Sequence, residues 1–231
     1  MKNVLILILL ITVGVWTSCI KANNYKKYTA GGEEIYPGKP DSLQAFPGRN
    51  RIQLHFLVQA DPTVVGARIF WNGHVDSSDL LLKRTSGVDT VNTIIDGLAE
   101  GAYNFEVFTY DAKGDHSVTT YITARAYGAD YEASLLNIPV ASSAITDDHA
   151  GMVVWGAYDP LGGLVGARAY YTDMDGVSRD TTVPVNAQNG FAEFAHFPDG
   201  GTLEYRALYF PEPMAIDTFA SAAATITISP Q

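Results

Sequence analysis

The sequence predicts an all-β protein made of two β-sandwiches in tandem, and three observations carry the prediction. Short runs alternate apolar and polar residues, the period of a half-buried strand. "NRIQLHFLV" puts Ile52, Leu54, Phe56 and Val58 on one face and Gln53 and His55 on the other; "GAYNFEVFTY" does the same with Tyr103, Phe105 and Val107. No long stretch of the chain after its N-terminal segment has a helical period. Gly, Pro, Asn and Asp separate these runs at spacings of about 8–12 residues, about seven runs to a sandwich. Finally, the chain repeats itself. "VGARIFWN" starts at Val65 and "VGARAYYT" at Val165, Gly101 opens "GAYNFEVFTY" and Gly201 opens "GTLEYRALYF", and Ser117 is matched by Asp217, all at one offset. Two copies of this size are tandem domains, since solenoid repeats run about 20–50 residues.

Taken in order, the first segment is an apolar run, "VLILILLITVGVW", from Val4 to Trp16 behind Lys2. Spanning a bilayer takes about 20 residues, so this run suits the apolar part of a secretory signal over residues 1–18. Cys19 follows small Ser18 and is the single cysteine, so no disulfide can form within the chain. The "WTSC" stretch resembles the lipobox of bacterial lipoproteins, with Trp16 in place of the usual aliphatic residue. That resemblance implies a diacylglyceryl group on the Cys19 sulfur and a protein held to a membrane by its acyl chains. Residues 19–39 are polar and Gly-containing, and read as a lipidated tether. The first sandwich is expected over 40–130 and the second over 131–231, with the boundary in "YGADYEASLLNIP" between Tyr127 and Ile138.

Within the first sandwich, Leu98, Gly101 and Tyr103 resemble the entry to strand F of fibronectin type III domains, where a tyrosine bonds back to the corner. Leu203 stands at the place of Tyr103 in the second copy. In the doubled segment, Ile69 and Trp71 share one face and Arg68 and Phe70 the other; Ala169 and Tyr171 oppose Arg168 and Tyr170 in the same way. One face must pack between the sheets. The other sets an arginine beside an aromatic on an outer sheet surface. Arg68, Phe70, Arg168 and Tyr170 are therefore the candidate ligand face, suited to sugar stacking or protein contact. The competing reading is a long arginine that merely covers its aromatic neighbour.

Charge excludes one class of partner. With 25 acidic and 15 basic residues the net charge is −10, and no basic stripe is present to neutralise phosphates. Nucleic acid is not an expected partner. Catalytic and metal signals are weak. His55, His74, His116, His149 and His196 form no ligand-spaced pair, so they read as solvated or capping residues and no metal or cofactor is expected. "DMDG" at Asp173 lacks the later ligands of a calcium loop and reads, like "DAKGD" at Asp111, as a hairpin turn. "GVSRD" lacks the closing glycine of a nucleophile elbow, and "LGGLVGA" feeds a strand rather than a helix. "PGKP" has Pro40 where a phosphate loop needs Ser or Thr.

"YKKYTAGGEEIYPGKPDSL", Ile69-Phe70-Trp71-Asn72, "VDTVNTIIDGLAEGAYNFEVFTYDAKG" and "YGADYEASLLN" are together similar to a family of Bacteroidota outer-membrane lipoproteins, the domain of unknown function 4998. The resemblance runs from Tyr25 to Asn137 and weakens in the second copy. It implies export to the outer membrane, on its periplasmic face or at the cell surface, and brings no catalytic residue with it. The resulting expectation is two immunoglobulin/fibronectin type III-like sandwiches that form a non-enzymatic binding or scaffolding module of the cell envelope. Its expected partners are the membrane, through Cys19, and a glycan or an envelope protein. A structural spacer or adhesion subunit is the alternative, and a small hydrolase a further one.

Overall fold

The computed structural model describes residues 36–159, 161–185 and 190–230. Residues 1–35, with the signal segment, Cys19 and most of the tether, lie outside the described residues. Pro37–Gln231 forms a compact unit whose regular elements, among the described residues, are strands apart from one short helix.

The first sandwich packs a three-stranded sheet, ordered β1-β2-β5, on a four-stranded one, ordered β4-β3-β6-β7, with all pairs antiparallel. Its strands are β1 (Asp41–Pro47), β2 (Arg51–Val58), β3 (Val64–Trp71), β4 (Asp76–Leu81), β5 (Asp89–Asp96), β6 (Gly101–Asp111) and β7 (Thr120–Ala126). β2 shows how alternation makes the core: Ile52, Leu54, Phe56 and Val58 are all fully buried while the residues between them are not. They meet Ile69, Phe105 and Val107 from the other sheet. Trp71 packs partly buried on the same core, as the alternation of β3 requires.

The second sandwich repeats the order. β8 (Val140–Ile145), β9 (Gly151–Trp155) and β12 (Phe191–Phe194) make the smaller sheet. β10 (Leu164–Thr172), β11 (Ser178–Pro184), β13 (Gly201–Tyr209), β14 (Phe219–Ala220) and β15 (Ala224–Ile228) make the larger one. Its core joins Val153, Trp155, Ala169, Phe194, Phe197, Leu203 and Tyr205.

Strand register corrects how the two copies align. Ile69 pairs with Val107, and Ala169 pairs with Tyr205. Tyr205 is therefore the counterpart of Val107, and Leu203 that of Phe105 rather than Tyr103. Gly201 stands at the tyrosine's place. Ser117 corresponds to Ser221, not Asp217. Both serines are 2% exposed; each accepts the N–H of its neighbour strand (Thr109 at 3.1 Å, Ala207 at 3.0 Å) and donates to the next carbonyl along its own chain. The constant offset of one hundred holds for Gly66 and Gly166 and then drifts. The chain from β10 to β13 is two residues shorter than from β3 to β6. The loop after β13 is longer, since Thr109 to Ser117 spans eight positions and Ala207 to Ser221 fourteen.

That lengthened loop returns to the first sandwich. Asp217 takes a bidentate contact from Arg51 (2.9 and 2.6 Å) and the backbone N–H of Arg49 at 2.8 Å. Ile216 donates its backbone N–H to the Pro47 carbonyl, and the Tyr127 hydroxyl donates to Glu212 at 2.8 Å. Between the two sandwiches lies α1 (Ala129–Ser134), a short helix outside the alternating pattern, whose first N–H groups donate to Glu100. Its Glu132 holds Arg49 with both carboxylate oxygens. Phe219, fully buried, fills the seam against Tyr127, Tyr131 and the Arg49 guanidinium.

Candidate functional site

The outer surfaces of the two larger sheets are where the doubled segment presents Arg68 and Phe70, and Arg168 and Tyr170. Both arginines are exposed and both aromatics half-buried, on the face opposite Ile69 and Ala169.

On the first sandwich this face is an aromatic band. Phe70 stacks on His74 with centroids 4.4 Å apart and planes at 10°, and lies 6.0 Å from Phe108; Phe108 in turn lies 5.0 Å from His116. Tyr121, 68% exposed, extends it onto β7. His74 Nε2 is 2.9 Å from Glu106. Arg68 donates Nε–H to Asp79 at 2.9 Å, and Tyr110 donates its hydroxyl to the other Asp79 oxygen at 2.7 Å. These bonds hold the Asp79 carboxyl below its ordinary range, the tyrosine contact first, and push the Tyr110 hydroxyl up. Gly66 is what lets this triad form. A Cβ there would sit 2.3 Å from the Tyr110 ring, at a point where the register between β3 and β6 shifts.

On the second sandwich the band is replaced by charge. The partner of Arg68 across the sheet is Phe108, whereas the partner of Arg168 is Arg206. Arg168 donates Nε–H and Nη2–H to the two oxygens of Asp180 at 2.9 and 2.6 Å, and its guanidinium stands 5.3 Å from the Tyr170 centroid. Hydrogen bonding to Asp180 pushes the Arg168 pKa further up and draws that of Asp180 down. Arg206 makes one hydrogen bond among the described residues, with Glu204 at 3.5 Å, and its charge also helps to lower the Glu132 pKa. Arg168, Tyr170, Glu204 and Arg206, together with Leu208, Thr218, Ala220 and Arg49, line an open groove of about 560 Å³ beside the seam.

Strand geometry thus brings the four sequence candidates to corresponding surfaces. It adds Phe108, Tyr110, His74 and His116 on the first face, and Arg206, Glu204 and Arg49 on the second. Phe108 and Tyr110 left a trace in the sequence, because "EVFTY" carries apolar rings on the face that should be polar. Arg206 left none, since its opposition to Arg168 depends on register. The remaining histidines have local partners: His55 meets Asn92, His149 faces Asp199 and His196 faces Asp175. Both candidate calcium turns are hairpins closed by their own aspartates. Asp173 accepts the N–H groups of Asp175 and Val177 as well as Arg179, and Asp111 accepts those of Lys113 and Asp115. Among the described residues no group of three or more His, Cys, Asp or Glu is placed to hold a metal ion.

A family model described as a domain of unknown function matches residues 19–219. None of the curated proteins matches the chain. Among solved structures the chain is similar to the FN1–FN3 domains of chicken CNTN1, at 13% identity and a TM-score of 0.42 over 85% of this chain and 69% of that one. It is also similar to a two-domain fibronectin type III segment of chicken tenascin, at 13% identity and a TM-score of 0.32 over 83% of this chain and 99% of that one.

Proposed function

The chain belongs to the family of the domain of unknown function 4998, and we propose that it serves as a non-enzymatic binding module of the cell envelope, held to the membrane by lipid on Cys19. The observation that supports this reading is the aromatic band on the outer face of the first sandwich. Four rings, His74, Phe70, Phe108 and His116, follow one another across neighbouring strands on a surface that alternation would otherwise make polar. Phe70 and Phe108 are half-buried in this row, and His74 and His116 stand exposed at its two ends. Glu106, Asp79 and Arg68 beside it supply partners for hydroxyl groups. That pairing of flat apolar rings with polar groups suits a glycan. A glycan array on the chain from residue 20 onward tests it. Phe70→Ala is expected to weaken retention by about tenfold. An array with no bound glycan overturns the reading.

The junction supports a second reading, that of a spacer or adhesion subunit. Arg49, Arg51, Asp217, Glu132 and Phe219 clamp the sandwiches together, as a rod bearing a partner at its end requires. The two readings share the anchor. Replacing Cys19 by alanine is expected to abolish both acyl labelling and membrane fractionation. A Cys19→Ala protein that still takes up labelled lipid would refute the lipobox assignment.

A further inference from the structure

The second sandwich carries a distinct surface whose chemistry is more specific than a row of rings. We propose that the groove formed by Arg49, Arg168, Tyr170 and Arg206 binds an acidic saccharide, a sugar unit bearing a carboxylate or a sulfate ester. This rests on the reading of the protein as a glycan-binding module and names the class of sugar for this face.

Three features carry it. Arg168 and Arg206 are direct cross-strand partners. Like charges placed directly opposite destabilise a sheet, and an anion lying between them reverses the sign. The first sandwich avoids the clash with Phe108 at the equivalent place.

Two of the arginines are also held from outside the groove. Asp180 engages Nε and Nη2 of Arg168, and Glu132 engages both Nη atoms of Arg49, yet neither carboxylate lines the groove. A guanidinium has five N–H donors. Arg168 therefore keeps its two Nη1 hydrogens for a ligand while its orientation is fixed, which reduces the entropy lost on binding. Arg206, with its one 3.5 Å contact, keeps nearly all of its donors. The planar fork matches the oxygen spacing of carboxylate and sulfate.

Third, the groove walls select against other anions. β10 and β13 are both paired on either side within the sheet, so no free strand edge is available to a peptide backbone. The apolar wall is limited to Leu208, Ala220 and the Tyr170 ring, too little for a peptide's side-chain pockets. Its volume of about 560 Å³ fits one or two sugar rings, with Glu204 and Thr218 to meet their hydroxyls. On a chain of net charge −10, only contacts this close can hold an anion.

Isothermal titration calorimetry on the full-length protein in detergent decides the matter. The probes are trigalacturonate as the carboxylate arm, a κ-carrageenan tetrasaccharide as the sulfate arm, maltotriose as the neutral control and a polyglutamate peptide. At least one acidic oligosaccharide is expected to bind about tenfold or more tighter than maltotriose, and to weaken as salt rises. Arg206→Ala is expected to remove that advantage and Arg206→Lys to restore part of it, with no loss of thermal stability in Arg206→Ala, because the side chain is 43% exposed and its removal relieves the opposition to Arg168. Lys113→Ala, which removes a positive charge from an exposed turn of the first sandwich, should leave it intact. Equal binding of acidic and neutral sugars, or an Arg206→Ala protein that binds like the parent, overturns the groove while the glycan-binding reading stands. Polyglutamate binding as tightly as the sugars overturns the saccharide assignment. A protein that binds no sugar at all takes both proposals down together.

Discussion

Ser117 and Ser221 do the same task in the two sandwiches, although their sequence neighbourhoods share almost nothing. Each hydroxyl closes a gap where the last strand leaves the ladder by accepting a buried backbone N–H, that of Thr109 or of Ala207, and the Ala207 N–H is shared with Asn137 Oδ1 at 3.0 Å. Removing such an acceptor leaves the full desolvation cost of the donor, about 1–3 kcal/mol. Ser117→Ala is expected to destabilise the protein by that amount, read as a lower urea midpoint at unchanged slope, and Ser221→Ala by less, because Asn137 still accepts the Ala207 N–H. Tyr103 contributes in only one copy. Its hydroxyl donates to the Ala99 carbonyl at 3.0 Å, closing the corner that the fibronectin-like entry segment implies, whereas Gly201 offers the second sandwich nothing there. Gly66 and Gly166 are retained for two different reasons. The first gives way to the Tyr110 ring, while a Cβ on the second would meet the Val183 carbonyl at 2.8 Å.

At the scale of elements, the strands themselves were readable and the spaces between them were not. Alternation in "NRIQLHFLV" specifies which residues of β2 are buried, because a period of two leaves no other way to place four large side chains on one face. It likewise put Arg68 and Phe70 outward. What it cannot carry is register. The offset between Gly66 and Gly166 suggested that Leu203 replaces Tyr103, but the shorter path into β13 moves every later pairing by two positions, so Leu203 does the work of Phe105. The opposition of Arg168 and Arg206 is a consequence of that register. α1 was too short to display a helical period, and its place is set by tertiary contacts: Glu100 accepts its first N–H groups, and its Glu132 reaches Arg49. The loop between β13 and β14 is the clearest case. The offset of one hundred matches Asp217 to Ser117, yet the extra residues of this loop carry Asp217 and Glu212 across to the first sandwich.

Over the whole molecule, that loop decides whether the two sandwiches behave as one body. The clamp depends on two carboxylates, Asp217 and Glu132, each held below its ordinary value chiefly by the hydrogen bonds of its arginine, Arg51 and Arg49 respectively, with burial working against the shift. A carboxyl depressed on folding contributes stability that is complete above its unfolded value and is lost as the pH falls through its folded one. The ordinary values are 3.8 for Asp217 and 4.5 for Glu132, so the clamp is at full strength at neutral pH and weakens as the pH drops below about 4. Water reaches this seam, with the Arg51 and Asp217 side chains 37% and 20% exposed, which keeps the effect modest. Asp217→Asn is expected to cost about 1–2 kcal/mol at pH 7, a drop of about 2–8 °C in melting temperature for a chain of this size. The parent and the variant should then converge as the pH falls towards 3, because protonated aspartic acid and asparagine are equally uncharged. Other aspartates with depressed values, Asp79 and Asp180 among them, lower the stability of both proteins alike, so the difference between the two melting curves isolates the clamp. A difference that stays constant from pH 7 to pH 3 would show that Asp217 acts through packing and not through its charge. The seam would then owe its hold to Phe219, wedged between Tyr127, Tyr131 and Arg49.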